Sequence, residues 1–117
     1  RASQFINEGI DSDAVNELDT YIMNNEELYR RRFMPIISNI KRKLAKNVYD
    51  HEKAQTLWMY LVDDAAKEYV KEFGSTQDDV KDMFPKETRQ QVARNISDRE
   101  IENIEQGEYD APKGTVS

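Results

Sequence analysis

The sequence predicts an all-α protein: a small helical bundle built on a long antiparallel helical hairpin, with a short first helix, a short lid helix and a C-terminal helix. Three observations predict it. Apolar residues recur at helical spacing along most of the chain, no stretch alternates with the period of a strand, and Gly9, Gly74, Gly107 and Gly114 fall between or outside the periodic segments. With 117 residues, 38% hydrophobic and 34% charged, the chain is the size of one compact domain. Its apolar fraction is below the globular average of about 45–50%, so the core should be small and some residues should lie outside it. The expected division is a lead segment over 1–12, one helical domain over 13–106 and a disordered tail over 107–117.

The first helix starts near Asp13, where Val15, Leu18 and Ile22 recur on one face and Ser12 or Asp13 can cap the exposed amides. Asn24-Asn25 ends it, and Asn25 can cap a second helix beginning at Glu26-Glu27. At 100° per residue, Tyr29, Phe33, Ile36, Ile37, Ile40, Leu44 and Val48 share about 120° of arc. This stripe runs through Pro35, which predicts either a kinked rod from Glu26 to Lys46 or a helix that starts at Pro35. A short connection, 47–50, follows, and Asp50 is placed to cap a third helix over His51–Phe73. On that helix Ala54, Leu57, Trp58, Leu61, Ala65 and Tyr69 form the apolar face, with Val62 and Phe73 at its edge and Gly74 as C-terminal cap. Ser75-Thr76 then caps a lid from Gln77 to Phe84, and Pro85 opens the last helix. That helix carries Val92, Ile96, Ile101 and Ile104, but Ser97-Asp98-Arg99-Glu100 matches a capping box and offers a breaking point.

Charge is distributed in blocks. Residues 30–46 hold Arg30, Arg31, Arg32, Lys41, Arg42, Lys43 and Lys46 with no acid, a local charge of +7, while 1–29 carry −6 and 47–117 carry −7. The total of −6 argues against a protein that coats nucleic acid by bulk attraction, and leaves only a local basic patch able to do so. In one reading the basic helix packs between acidic neighbours. Asp64 and Glu68 border buried surface and need cations, for which Arg30 and Lys41 are the candidates, while Asp63 is solvated and pairs with Lys67. In the other reading Arg31 and Arg42, opposite the stripe, face solvent and contact phosphate or an acidic protein surface.

Zero cysteines exclude disulfides, thiolate metal sites and cysteine nucleophiles. No apolar run reaches the ~18 residues of a membrane span and the start lacks a signal-peptide core, so a soluble, cytoplasmic protein without membrane contact is expected. The initial Arg suggests a trimmed or engineered end, and residues 1–4 stay outside the fold argument. His51, the one histidine, is expected as an exposed residue near a helix cap, because Asp50, His51 and Glu52 are consecutive and cannot converge on a metal. Asp63-Asp64 diverge by about 100° and do not make an acid–base pair. No phosphate-cradling loop or calcium loop is present. The expectation is no enzyme, no catalytic residue, no metal and no cofactor.

Leu28-Tyr29-Arg30, Pro35-Ile36-Ile37, Tyr49-Asp50, Ala54, and Leu57-Trp58 through Lys71-Glu72-Phe73 form a recognisable string. It resembles small uncharacterised all-helical proteins of tailed bacteriophages, marine ones included, over roughly residues 17 to 95. The resemblance implies a phage product acting in the cytoplasm of an infected bacterium, and implies no mechanism.

The function expected is therefore a non-catalytic interaction or regulatory protein that binds a host or phage protein, or its own second copy as a homodimer. Met34, Met59 and Tyr60, outside the stripes, and Arg31, Arg42 and Lys46 on the basic helix are the candidate contact residues. The alternative is nucleic-acid binding through helix 30–46, and a remoter one is a minor virion component.

Overall fold

A computed structural model describes residues 11–73 and 83–109, and among these it contains four helices and no strand, forming a small all-α bundle. Helix α1 spans Ser12–Asn24. Helix α2 is one rod in three consecutive pieces, α-helical Glu26–Leu28, a π-helical turn Tyr29–Phe33 and α-helical Met34–Ala45. Helices α3 and α4 span His51–Phe73 and Lys86–Glu105. The glycine cap at 74, most of the expected lid and residues 110–117 of the expected tail lie outside the described residues; of the lid's end, Phe84 is buried in the core.

Asp11, and not Ser12 or Asp13, caps α1. Its backbone is extended, and its Oδ1 accepts the amides of Asp13 at 2.9 Å and Ala14 at 3.3 Å. A cap needs that extended geometry to turn its side chain back on the first turn, and Ser12 is already helical. Asn25 acts as expected: its extended backbone ends α1 and its Oδ1 accepts the Leu28 amide at 3.1 Å.

The irregularity expected at Pro35 takes the form of a π turn just before it, where the Met34 amide bonds the Tyr29 carbonyl five residues back. Pro35 brings no N–H, and its ring presses on the carbonyl four residues earlier. Widening the preceding turn moves that carbonyl aside while the rod continues. The extra residue also turns everything before it by about 100° about the axis. Leu28, absent from the expected stripe, thus enters the core, while Tyr29 is half-buried and stacks on Phe33 with ring centroids 5.0 Å apart.

Asn47, at a left-handed φ of 62°, ends α2. The amides of Val48 and Asn47 bond the carbonyls of Lys43 and Leu44, the paired closure of a Schellman turn. This turn takes Val48 off the stripe and leaves it 58% exposed, against expectation. Asp50 then caps α3, accepting the amides of Glu52 and Lys53.

Helix α3 is the strut of the bundle. Trp58, Leu61, Val62, Ala65 and Ala66 have no exposed surface. Its buried face is shifted from the expected one: Val62, Ala66 and Val70 are inside, Leu57 and Tyr69 only half-buried, and Phe73 exposed. The reason is α4, which packs on α3 more extensively than α2 does and covers that side; α1 packs on both α3 and α4. Small Ala65, Ala66 and Ala93 allow the close approach. Within Met34–Ala45 only Ile37 and Ile40 are buried, so α2 lies more thinly on the strut, anchored by Phe33 against Trp58 at 5.0 Å.

Pro85 stands at the N-cap of α4, and the helix runs unbroken through Ser97. The capping-box reading fails because Ser97 and Glu100 both point inward, each 1% exposed. Gly107, at φ 82°, closes α4 with the same two-bond turn, Glu108 to Asn103 and Gly107 to Ile104, and brings Tyr109 back to donate to the Glu100 carboxylate. No helix among the described residues is long and apolar enough to cross a membrane.

Candidate interaction surface

The basic stretch 30–46 divides into two halves with different surroundings. In the first, Arg30 bonds Glu26 at 2.8 Å, Arg31 lies 3.7 Å from Glu27, and Arg32 lies 2.6 Å from Asp64. The first two are one-turn pairs that the helix itself sets up. Lys41 donates to the Tyr109 carbonyl at 3.2 Å. In the second half, Arg42, Lys43 and Lys46 make no ion pair among the described residues, and neither does Lys53, in the first turn of α3. Arg42, Lys46 and Lys53 are exposed and Lys43 is half-buried. The Schellman turn and the Asp50 cap fold the chain back within a few residues, which gathers these cations at one end of the bundle.

The partners expected for the acids of α3 are corrected. Asp64 pairs with Arg32 instead of Arg30 or Lys41, and Glu68 lies 3.9 Å from Lys71. Asp63 is not a solvated partner of Lys67: it holds Arg89 of α4 at 2.6 Å, and Arg89 also donates to the Phe84 carbonyl. The rod's register, altered by the π turn, brings Arg32 toward α3, and the unexpectedly large α3–α4 contact supplies Arg89.

Between α2 and α3, beside their connection, lies a cavity of about 230 Å³. Ile40, Ala54 and Leu57 line it with apolar atoms, Lys43, Lys53 and Asp50 with charged ones, and Asn39 and Tyr49 with polar ones. The hydroxyl of Tyr49 and His51 Nδ1 are 3.0 Å apart, and His51 Nε2 lies 3.7 Å from Asp98 on α4. Burial pushes the Tyr49 phenol above its usual range, with Asp98 adding to the effect. His51 is exposed, as expected, and sits between these two neighbours.

The six expected contact residues do not form one surface. Arg31 and Arg42 are eleven residues apart, about 16 Å along the rod. Met34 and Met59 are half-buried and pack against the core, whereas Tyr60 is 59% exposed. Arg42 and Lys46 share the basic end, which also contains Lys43 and Lys53, neither of them among the six. Lys53 was recoverable in principle, since a residue three places after a cap lies in the first helical turn, next to the preceding helix's end.

A second polar cluster joins α1 and α4. Arg99 reaches Asp19 through Nη1 at 2.9 Å and Nη2 at 3.3 Å, and Glu100 through Nε at 2.9 Å. Glu100 also accepts from Asn103 and from Tyr109, whose phenol is raised by burial and by that carboxylate. Across α1 and α3, Tyr21 donates to Glu72 at 2.8 Å and Tyr69 to Glu17 at 2.9 Å. These groups hold helices together, and their charges are engaged within the bundle.

No family model matches the chain, and no curated protein or solved structure matches it.

Proposed function

We propose that this is a non-catalytic interaction protein that docks on an acidic surface of another protein through the basic end of α2 and the first turn of α3. The observation that supports it is the contrast within one helix: Arg30, Arg31 and Arg32 each have a carboxylate within 4 Å, whereas Arg42, Lys43 and Lys46 have none among the described residues. Arg42 and Lys46, exposed and without an ion pair among the described residues, give a chain of net charge −6 a local positive field that steers an acidic partner and fixes its orientation. On this reading, and with the resemblance to phage proteins, the partner is sought among host and phage proteins of an infected cell. The test is recovery of a partner from expressing or infected bacteria by the tagged protein and by its Arg42→Glu/Lys46→Glu variant. A partner retained by the first and lost by the second supports the reading; none above background, or equal recovery, overturns it.

The same cations favour nucleic-acid binding as the second reading. Three or four phosphate contacts would give a log–log salt slope of about −3. Asp50 and Glu52 flanking Lys53, and Glu27 beside Arg31, oppose a duplex laid along the rod. Duplex binding with that slope, abolished in the same variant, would put this reading first.

A further inference from the structure

We propose that the cavity between α2 and α3 seats one aromatic or branched aliphatic side chain of an acidic peptide segment on the partner, with Lys43 and Lys53 pairing with the carboxylates that flank it. The inference rests on the interaction reading above and names what the basic end recognises. Size sets the first limit. The cavity measures about 230 Å³. A space of about 150 Å³ admits a benzene ring, and small-molecule sites begin near 300 Å³, so the room suits a single side chain better than a whole cofactor. Lining chemistry sets the second. Ile40, Ala54 and Leu57 supply apolar surface for a buried side chain, while Asn39, Tyr49, Lys43 and Lys53 supply polar groups for the backbone and carboxylates around it.

Charge sets the third. Lys43 and Lys53 make no ion pair among the described residues. Asp50 is the one carboxylate in the lining, and its Oδ1 already accepts the amides of Glu52 and Lys53. The lining therefore carries a net +1, and Arg42 and Lys46 lie exposed within a turn of Lys43. An apolar hole bordered by such cations complements an apolar residue with acidic neighbours, and repels the same residue with basic ones.

The experiment uses the full chain and three labelled synthetic peptides read by fluorescence anisotropy: an acidic peptide with one central Phe, the same peptide with Ala in its place, and a Lys-flanked Phe peptide. The Phe peptide should bind about tenfold more tightly than the Ala peptide, and the Lys-flanked one should not bind. Asn39→Phe, which fills the cavity from its wall, should erase the difference between the two acidic peptides at an unchanged thermal midpoint. Lys43→Glu/Lys53→Glu should abolish binding of both. Equal affinity for the Phe and Ala peptides overturns the seat while leaving the basic end as the docking surface. Binding of neither acidic peptide also overturns it, and the partner-recovery test above then judges the interaction reading separately. Sedimentation showing self-association lost in Lys43→Glu/Lys53→Glu would make a second copy the occupant and overturn the proposal too.

Discussion

Replacing Arg99 by Met should lower the unfolding free energy by about 2–3 kcal/mol. Arg99 is the common partner of two carboxylates, Asp19 on α1 and the 1% exposed Glu100 on α4. Removing the cation from a fully buried pair costs about 3–5 kcal/mol. Two features reduce that here. The Arg99 side chain is 37% exposed, so its attraction to Asp19 is partly screened by water. Glu100 also keeps the Asn103 and Tyr109 donors. Glu100→Gln retains an oxygen to accept from Tyr109 while removing the charge, and should cost about 1 kcal/mol. The double variant should be more stable than the sum of the two losses implies, by about 1 kcal/mol, because Glu100, the more buried of the two carboxylates, is no longer left charged without its guanidinium. Urea unfolding followed by circular dichroism at 222 nm measures all three. A loss under about 0.5 kcal/mol for Arg99→Met, or strict additivity, would refute the claim that one guanidinium holds α1 to α4.

Phe33→Ala should cost about 3–4 kcal/mol and shift Trp58 emission to the red, since Phe33 is fully buried against the indole; an unshifted spectrum would contradict that packing. Arg89→Met should cost about 1–2 kcal/mol and Arg32→Met no more than about 0.5, because the Arg89 side chain is 18% exposed and makes a second bond to Phe84, whereas that of Arg32 is 53% exposed; equal losses by urea titration would count against the assignment. Burial and the bond to Glu72 push the Tyr21 phenol up to about 12, and burial also raises those of Tyr49, Tyr69 and Tyr109. The folded chain then holds these protons more tightly than the unfolded one, so the stability they contribute is complete below about pH 10 and drains as pH climbs towards 12. Tyrosinate absorbance at 295 nm should rise later in native protein than in urea, and superposable titrations would remove the effect.

Periodicity and caps made most of the fold readable from the residues. Val15, Leu18 and Ile22, or Trp58 and Leu61, lie where a 3.6-residue repeat puts them, and Asn25 and Asp50 cap because short polar side chains reach back to free amides. What failed depended on distant chain. Ser97 to Glu100 has the chemistry of a helix start, and only Asp19 and the returning Tyr109 make it a helix interior. Phase counting along α2 assumed a uniform 100° step, which the turn before Pro35 does not keep, so Leu28 was missed. Of the cations at the proposed basic end, the sequence reading names Arg42 and Lys46 as contact candidates. Lys43 was seen only as part of a charge run and Lys53 not at all, because which lysines lack a carboxylate depends on how α3 and α4 place their acids.

The odd turn at Tyr29–Phe33 gives this stretch an uneven tolerance of genetic change. Exchanges among Arg30, Arg31 and Arg32, whose side chains reach into water, should pass with little consequence. Loss of a single codon there would let the coil rewind evenly, swing Glu26, Glu27 and Leu28 around the rod and pull Leu28 out of its socket. In descendants of this chain, length between Leu28 and Pro35 should therefore drift far less than spelling.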